Sequence, residues 1–149
     1  MTAQPPSPDA ASSSRLRTAL HWAVRVGGGV FTTYTAFALA VVEVFLTEFR
    51  LFGSPTPLAA LLAIVGNVGL PWLTMWFVGH RGAALLPGAT WFLVVVAAVS
   101  QTRAGDLMVI GYWPGMALLL SGAACVAVMG YLTITGGLDR FRPAYGTES

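Results

Sequence analysis

Apolar residues dominate four long segments of the chain, and charged residues stand mainly between them. Splitting the sequence at Arg, Asp and Glu leaves uncharged stretches at 26–42, 51–80, 82–102 and 107–138. A helix needs about 20 predominantly apolar residues to cross a hydrocarbon core about 30 Å thick. The hydrophobicity is continuous rather than alternating, which favours helices over a membrane β-barrel. The pattern therefore predicts an all-α polytopic membrane protein with four transmembrane helices.

Turn-forming and polar residues set the expected limits of these helices. We expect helices at about 27–49, 57–79, 83–101 and 114–135, within a transmembrane domain of residues 26–137. The segment 79–82 forms a tight hairpin, Pro114 suits a first helical turn, and Gly136 ends the last helix. Residues 1–25 begin with a run rich in Pro, Ser and Ala and are predicted to be a disordered basic tail. Residues 138–149 form a short polar C-terminal tail.

The charges indicate an orientation and exclude one class of partner. Only 9% of residues are charged, against about 25% in soluble domains. The side with both tails and the second loop carries six arginines, whereas Arg50 and Arg103 lie on the other side. The six are Arg15, Arg17, Arg25, Arg81, Arg140 and Arg142. The positive-inside rule then predicts a plasma-membrane protein with both termini cytoplasmic. Because the arginines stand between and beside the membrane helices and are not clustered on a soluble face, no nucleic-acid partner is expected.

Glu43 is the most conspicuous candidate for a functional side chain. It lies among apolar residues about two turns from the outer end of the first predicted helix. A carboxylate inside a membrane is costly unless it is paired, protonated or hydrated, so it marks a functional site by default. Its distance from Arg50, roughly 10 Å along the helix, also places it within reach of interfacial water or a neighbouring helix. A structural role and a proton, ion or substrate site both remain open.

Asn67 and Pro71 form a second polar feature, near the middle of the second helix. Gly66 and Gly69 flank Asn67 and permit close approach of another helix, to which the amide can hydrogen-bond. Pro71 lacks an N–H group and predicts a kink. Broken helices build ion sites in transporters, while Gly and Pro are also common in ordinary membrane helices. Packing with a polar contact and a binding site are the two interpretations.

The remaining polar residues do not assemble into recognisable chemistry. An unusual outer loop before the fourth helix contains Arg103, Asp106, Tyr112 and Trp113. The chain has one cysteine, two separated histidines and no phosphate-binding, dinucleotide-binding or HExxH motif. We therefore predict no enzymatic activity, no metal and no cofactor.

Three sequence elements are similar to those of a known family. They are the stretch GDLMVIGYWPG at 105–115, the Gly66-Asn67 pair and the Arg81-Gly82 hairpin. Together they resemble a family of small actinobacterial four-helix integral membrane proteins of unknown function, over about residues 27–137. The resemblance implies a gene neighbourhood of mycothiol biosynthesis and supplies no catalytic residues.

Few polar residues and short soluble segments favour a non-catalytic role. The leading hypothesis is an accessory or scaffold component of a membrane complex. The alternative is a small proton- or ion-coupled transporter or channel subunit that uses Glu43 and Asn67. The expected partners are the lipid bilayer and either a second copy of the chain or other membrane proteins.

Overall fold

The computed structural model describes residues 8–52, 54–100 and 113–137, with side chains from Arg15 onward. The helices in this part are α1 (Pro8–Leu46), α2 (Leu58–Val78), α3 (Leu85–Val99) and α4 (Trp113–Thr135). Four helical segments of the described chain are long and apolar enough to cross a membrane, including 15–46 within α1 and 81–99 around α3. The predicted all-α class and the four candidate spans are confirmed at this level.

Helix α1 starts earlier than the sequence pattern predicts. It begins at Pro8 rather than near residue 27, so helix replaces the expected disordered tail over residues 8–25. Proline is well suited to a first helical turn, and good helix formers such as Ala10, Ala11 and Leu16 follow it. The 39 residues of α1 span about 58 Å, against a hydrocarbon core of about 30 Å. The N-terminal part of α1 therefore extends well beyond the length needed to cross a membrane.

A small β-hairpin joins α1 to α2. Helix α1 ends at Leu46 instead of near residue 49, and β1 (Arg50–Leu51) pairs antiparallel with β2 (Ser54–Pro55). At the tip of the hairpin Phe52 has φ 51 and is 99% exposed.

The other helices end close to their predicted limits. Helices α2, α3 and α4 agree with the expected bounds to within two residues. Gly79 adopts a left-handed conformation after α2, and its N–H donates to the Met75 carbonyl at 2.9 Å. Gly136 adopts φ 76 directly after α4. A 3₁₀ turn (Arg81–Ala84) leads into α3, so the predicted hairpin between α2 and α3 is present.

The core lies between helices whose facing residues are mostly small. Helix α1 packs against α2 and α3, and α2 also packs against α4. The contacts between α1 and α2 include Ala40, Ala59 and Ala63, which are fully buried. Small residues let helix backbones approach closely, which is how helices associate where lipid removes the hydrophobic driving force. This close packing brings polar side chains from three helices into the interior.

Candidate functional site: a buried polar layer around Glu43

Glu43 lies inside the bundle and not at its surface. Its side chain is 0% exposed, and it stands on the last turn of α1, three residues before the helix ends at Leu46. Ala40 and Val44, on the same side of α1, belong to the apolar core. An isolated carboxylate among such groups is unfavourable unless it has hydrogen-bond donors.

Trp91 supplies one donor to Glu43. Its indole Nε1–H donates to Glu43 Oε2 at 2.6 Å, a short distance typical of a strong hydrogen bond across the bundle from α3 to α1. Trp91 occupies the middle of α3 and is 3% exposed. No pattern in the sequence predicts this pairing. The two residues are 48 positions apart, and an indole in an apolar helix gives no sign of its partner.

Two glycines permit close packing at the level of this pair. A Cβ at Gly122 on α4 would collide with the six-membered ring of Trp91. At Gly66 on α2, a Cβ would collide with Leu39 and lie 3.6 Å from Glu43 Oε1. All four long helices of the described chain thus meet at one level, which we call the Glu43 layer. Its residues are Glu43, Gly66, Trp91 and Gly122.

Two buried polar atoms in or next to the Glu43 layer along the chain have no hydrogen-bond partners among the described residues. They are Oε1 of Glu43 and Nδ2 of Asn67, the residue that follows Gly66 on α2. Asn67 is 4% exposed, so it also belongs to the interior. Both predicted polar residues therefore lie inside the bundle, and neither lies on a lipid-facing surface.

Pro71 stands inside a continuous α2, one turn after Asn67, and is buried. Because proline has no N–H, the Asn67 carbonyl lacks its usual helical donor at position 71. The Thr74 hydroxyl donates to the Leu70 carbonyl at 2.7 Å in the adjacent turn. The helix is not broken at Pro71, and the kink stays a prediction.

The predicted outer-loop residues fall mostly outside the described part of the chain. Arg103, Asp106 and Tyr112 lie there, while Trp113 opens α4 with an exposed side chain. No group of three or more His, Cys, Asp or Glu side chains that could hold a metal occurs in residues 8–52, 54–100 and 113–137.

The geometry of the Glu43 layer suits two kinds of chemistry. The bond from Trp91 to Oε2 fixes the carboxyl group and ties α1 to α3. The unpartnered Oε1 retains the capacity to accept a proton, a cation or a donor group. Asn67 Nδ2, close along the chain to Gly66, retains the capacity to donate.

The described residues form four helices that are long and apolar enough to cross a membrane, with a polar layer between them. Comparison with protein-family models, curated proteins and solved structures gives no match. The resemblance to the actinobacterial four-helix family remains a prediction from the sequence motifs.

Proposed function

We propose that this chain is a non-catalytic, multi-pass protein of the plasma membrane that acts as an accessory or scaffold component of a membrane complex. The observation that carries the proposal is the uncovered surface of α4. Only 22% of its most apolar segment is buried by the described residues, against 28% for each of the spans 15–46 and 81–99 and 44% for α2.

The uncovered face of α4 is shaped for another helix. Ala123, Ala124 and Ala127 are all exposed, and their spacing places them on one side of the helix. Small side chains four residues apart are typical of surfaces where membrane helices pack closely. A transmembrane helix of a different membrane protein is the occupant we propose, because accessory subunits act through such contacts.

In-cell photo-crosslinking tests this proposal. A photoreactive residue at Ala127 should capture one identified membrane protein, and the same residue at the exposed Val65 on α2 is the matched control. Ala127→Trp should abolish co-purification of that partner in mild detergent, whereas Val65→Trp should preserve it. Deleting the chain should also lower the abundance or activity of the captured partner. Capture of only a second copy of the chain, or a partner unaffected by Ala127→Trp, would contradict the accessory role.

The proposed orientation has both termini in the cytoplasm, supported by the excess of arginine on that side. A C-terminal reporter that is active only outside the cytoplasm should give no signal. Strong reporter activity would refute this orientation.

A small proton- or ion-coupled transporter is the second candidate, and the two unpartnered polar atoms favour it. Buried Glu43 Oε1 and Asn67 Nδ2 are the kind of groups that intramembrane ion and proton sites use. Glu43→Gln should then abolish proton-coupled flux in liposomes while keeping the folded state. Glu48→Gln is a control, since Glu48 is exposed beyond the end of α1. Absence of flux in the wild type, or unchanged flux in Glu43→Gln, rejects this candidate.

A further inference from the structure

A groove of about 850 Å³ runs along the described bundle between α1, α3 and the turn that joins α2 to α3. Most of its lining is apolar, including Val26, Val30, Phe37 and Leu86. Its volume lies within the range of sites that bind small organic molecules, about 300–1,000 Å³. The groove is separate from the Glu43 layer and from the exposed face of α4 around Ala123 and Ala127.

The length of the groove matches one leaflet of a bilayer. Along α1 its lining extends from Trp22 to Phe37, about 22 Å at 1.5 Å per residue. Half of a hydrocarbon core is about 15 Å thick, and half of a bilayer with its headgroup region is about 20–22 Å. The groove is therefore long enough to reach from the headgroup level to the middle of the bilayer. Trp22 stands at the end where an indole ring suits the membrane interface.

Positive charge and hydrogen-bond donors gather at that same end. Arg25 lines the groove close to Trp22, and its guanidinium offers five N–H donors. His80 lines it from the α2–α3 turn, where its Nδ1 accepts the Gly82 N–H at 3.2 Å. A neutral imidazole with Nδ1 as acceptor carries its proton on Nε2, which is then the donor available to a ligand.

Acidic side chains do not compensate this charge within the described groove. The carboxylates whose side chains the structure describes are Glu43 and Glu48, both near the opposite end of α1. Arg25 and His80 are both exposed. The polar end of the groove is therefore complementary to an anion.

We propose that this groove binds an anionic phospholipid, with the phosphate held by Arg25 and His80 and one acyl chain lying along the apolar lining. Basic pockets between membrane helices are suited to anionic headgroups. A lipid is the occupant because Arg25 and His80 stand together at one end of the groove. Beyond them the lining is mostly apolar, apart from Thr33, Tyr34 and Thr90, and it continues for the depth of one leaflet. This proposal does not depend on either proposed function.

Lipid competition measured by native mass spectrometry tests the proposal. The full chain, purified and delipidated in detergent, is mixed with equal amounts of dioleoyl phosphatidylglycerol and dioleoyl phosphatidylcholine. We expect about fivefold preference for phosphatidylglycerol, the factor associated with one basic residue near a lipid headgroup. Arg25→Gln should reduce the preference to about onefold.

Two further variants separate a site from general surface charge. Arg17→Gln removes the same charge from α1 outside the groove lining, so the preference should persist. Ala83→Phe fills the apolar lining without changing charge and should lower retention of both lipids. Equal binding of the two lipids by the wild type, or equal losses in Arg17→Gln and Arg25→Gln, would overturn the proposal. Because Arg25 is exposed, its substitution should leave helix content by circular dichroism unchanged.

Discussion

The hydrogen bond between Trp91 and Glu43 permits a quantitative test through a double-mutant cycle. Trp91→Phe removes the Nε1–H donor and part of the ring, while Glu43→Leu removes the acceptor. The cycle subtracts the packing loss, because the smaller ring is present with and without the carboxylate. What remains is the coupling free energy between the two side chains.

The structure indicates the size of this coupling. Hydrogen bonds between membrane helices contribute about 0.6 kcal/mol on average and up to about 1.7 kcal/mol. Bonds to charged groups reach about 1.5–3 kcal/mol in proteins generally. Both side chains are almost fully buried and the donor–acceptor distance is 2.6 Å. Their coupling free energy should therefore lie near the upper value for hydrogen bonds between membrane helices. We expect a coupling of about 1.5 kcal/mol.

Trp91→Phe should therefore lower the free energy of unfolding of the wild type by about 3 kcal/mol. About half of this loss comes from the hydrogen bond and half from packing. In the Glu43→Leu background it should cost only about 1.5 kcal/mol, the packing part. Unfolding by sodium dodecyl sulfate in mixed micelles, followed by far-ultraviolet circular dichroism, measures both free energies without relying on tryptophan fluorescence.

Trp72→Phe is the matched control, because Trp72 on α2 is 49% exposed. It should change stability by less than about 0.5 kcal/mol and show no coupling to Glu43→Leu. If the effects of Trp91→Phe and Glu43→Leu add to within about 0.5 kcal/mol, the bond does not stabilise the bundle, and its stabilising role is refuted.

Three glycine-related predictions use the same unfolding assay. Gly122→Ala should destabilise the protein by about 1–3 kcal/mol because its Cβ meets the Trp91 ring, whereas Gly69→Ala, with open space around the added Cβ, should be neutral or stabilising by up to about 1 kcal/mol. Equal effects of the two variants would show that Trp91 is not held against α4. Gly136→Ala should cost about 1–2 kcal/mol since Gly136 has φ 76, and an unchanged stability would contradict the left-handed end of α4. Phe52→Gly should stabilise by about 1 kcal/mol through relief of a positive φ at a side chain that is 99% exposed; destabilisation would indicate that the Phe52 ring makes a stabilising contact.

Pattern and composition alone were sufficient to predict the number of candidate spans and most helix limits. Inside a membrane, a long uncharged segment satisfies its backbone hydrogen-bonding groups by forming a helix. Gly79 and Gly136 end α2 and α4 near the limits that the sequence predicts. The predicted start of α1, near residue 27, was wrong because the Pro- and Ser-rich composition of the N-terminal residues is typical of a disordered segment. The same residues contain a proline suited to a first turn and enough alanine to continue the helix.

Only the tertiary structure decided which polar residues meet. The helices are apolar on nearly every face, so their sequence periodicity does not identify the inward side, and Trp91 was indistinguishable from a membrane-interface aromatic. The sequence identifies Glu43 and Asn67 as candidates because a polar side chain among apolar residues is costly to bury. It does not predict that Glu43 pairs with a residue 48 positions away. At that level Gly122 leaves the space that the Trp91 ring fills, and Gly66 leaves space for Leu39 beside the carboxylate, so the helices can approach closely there.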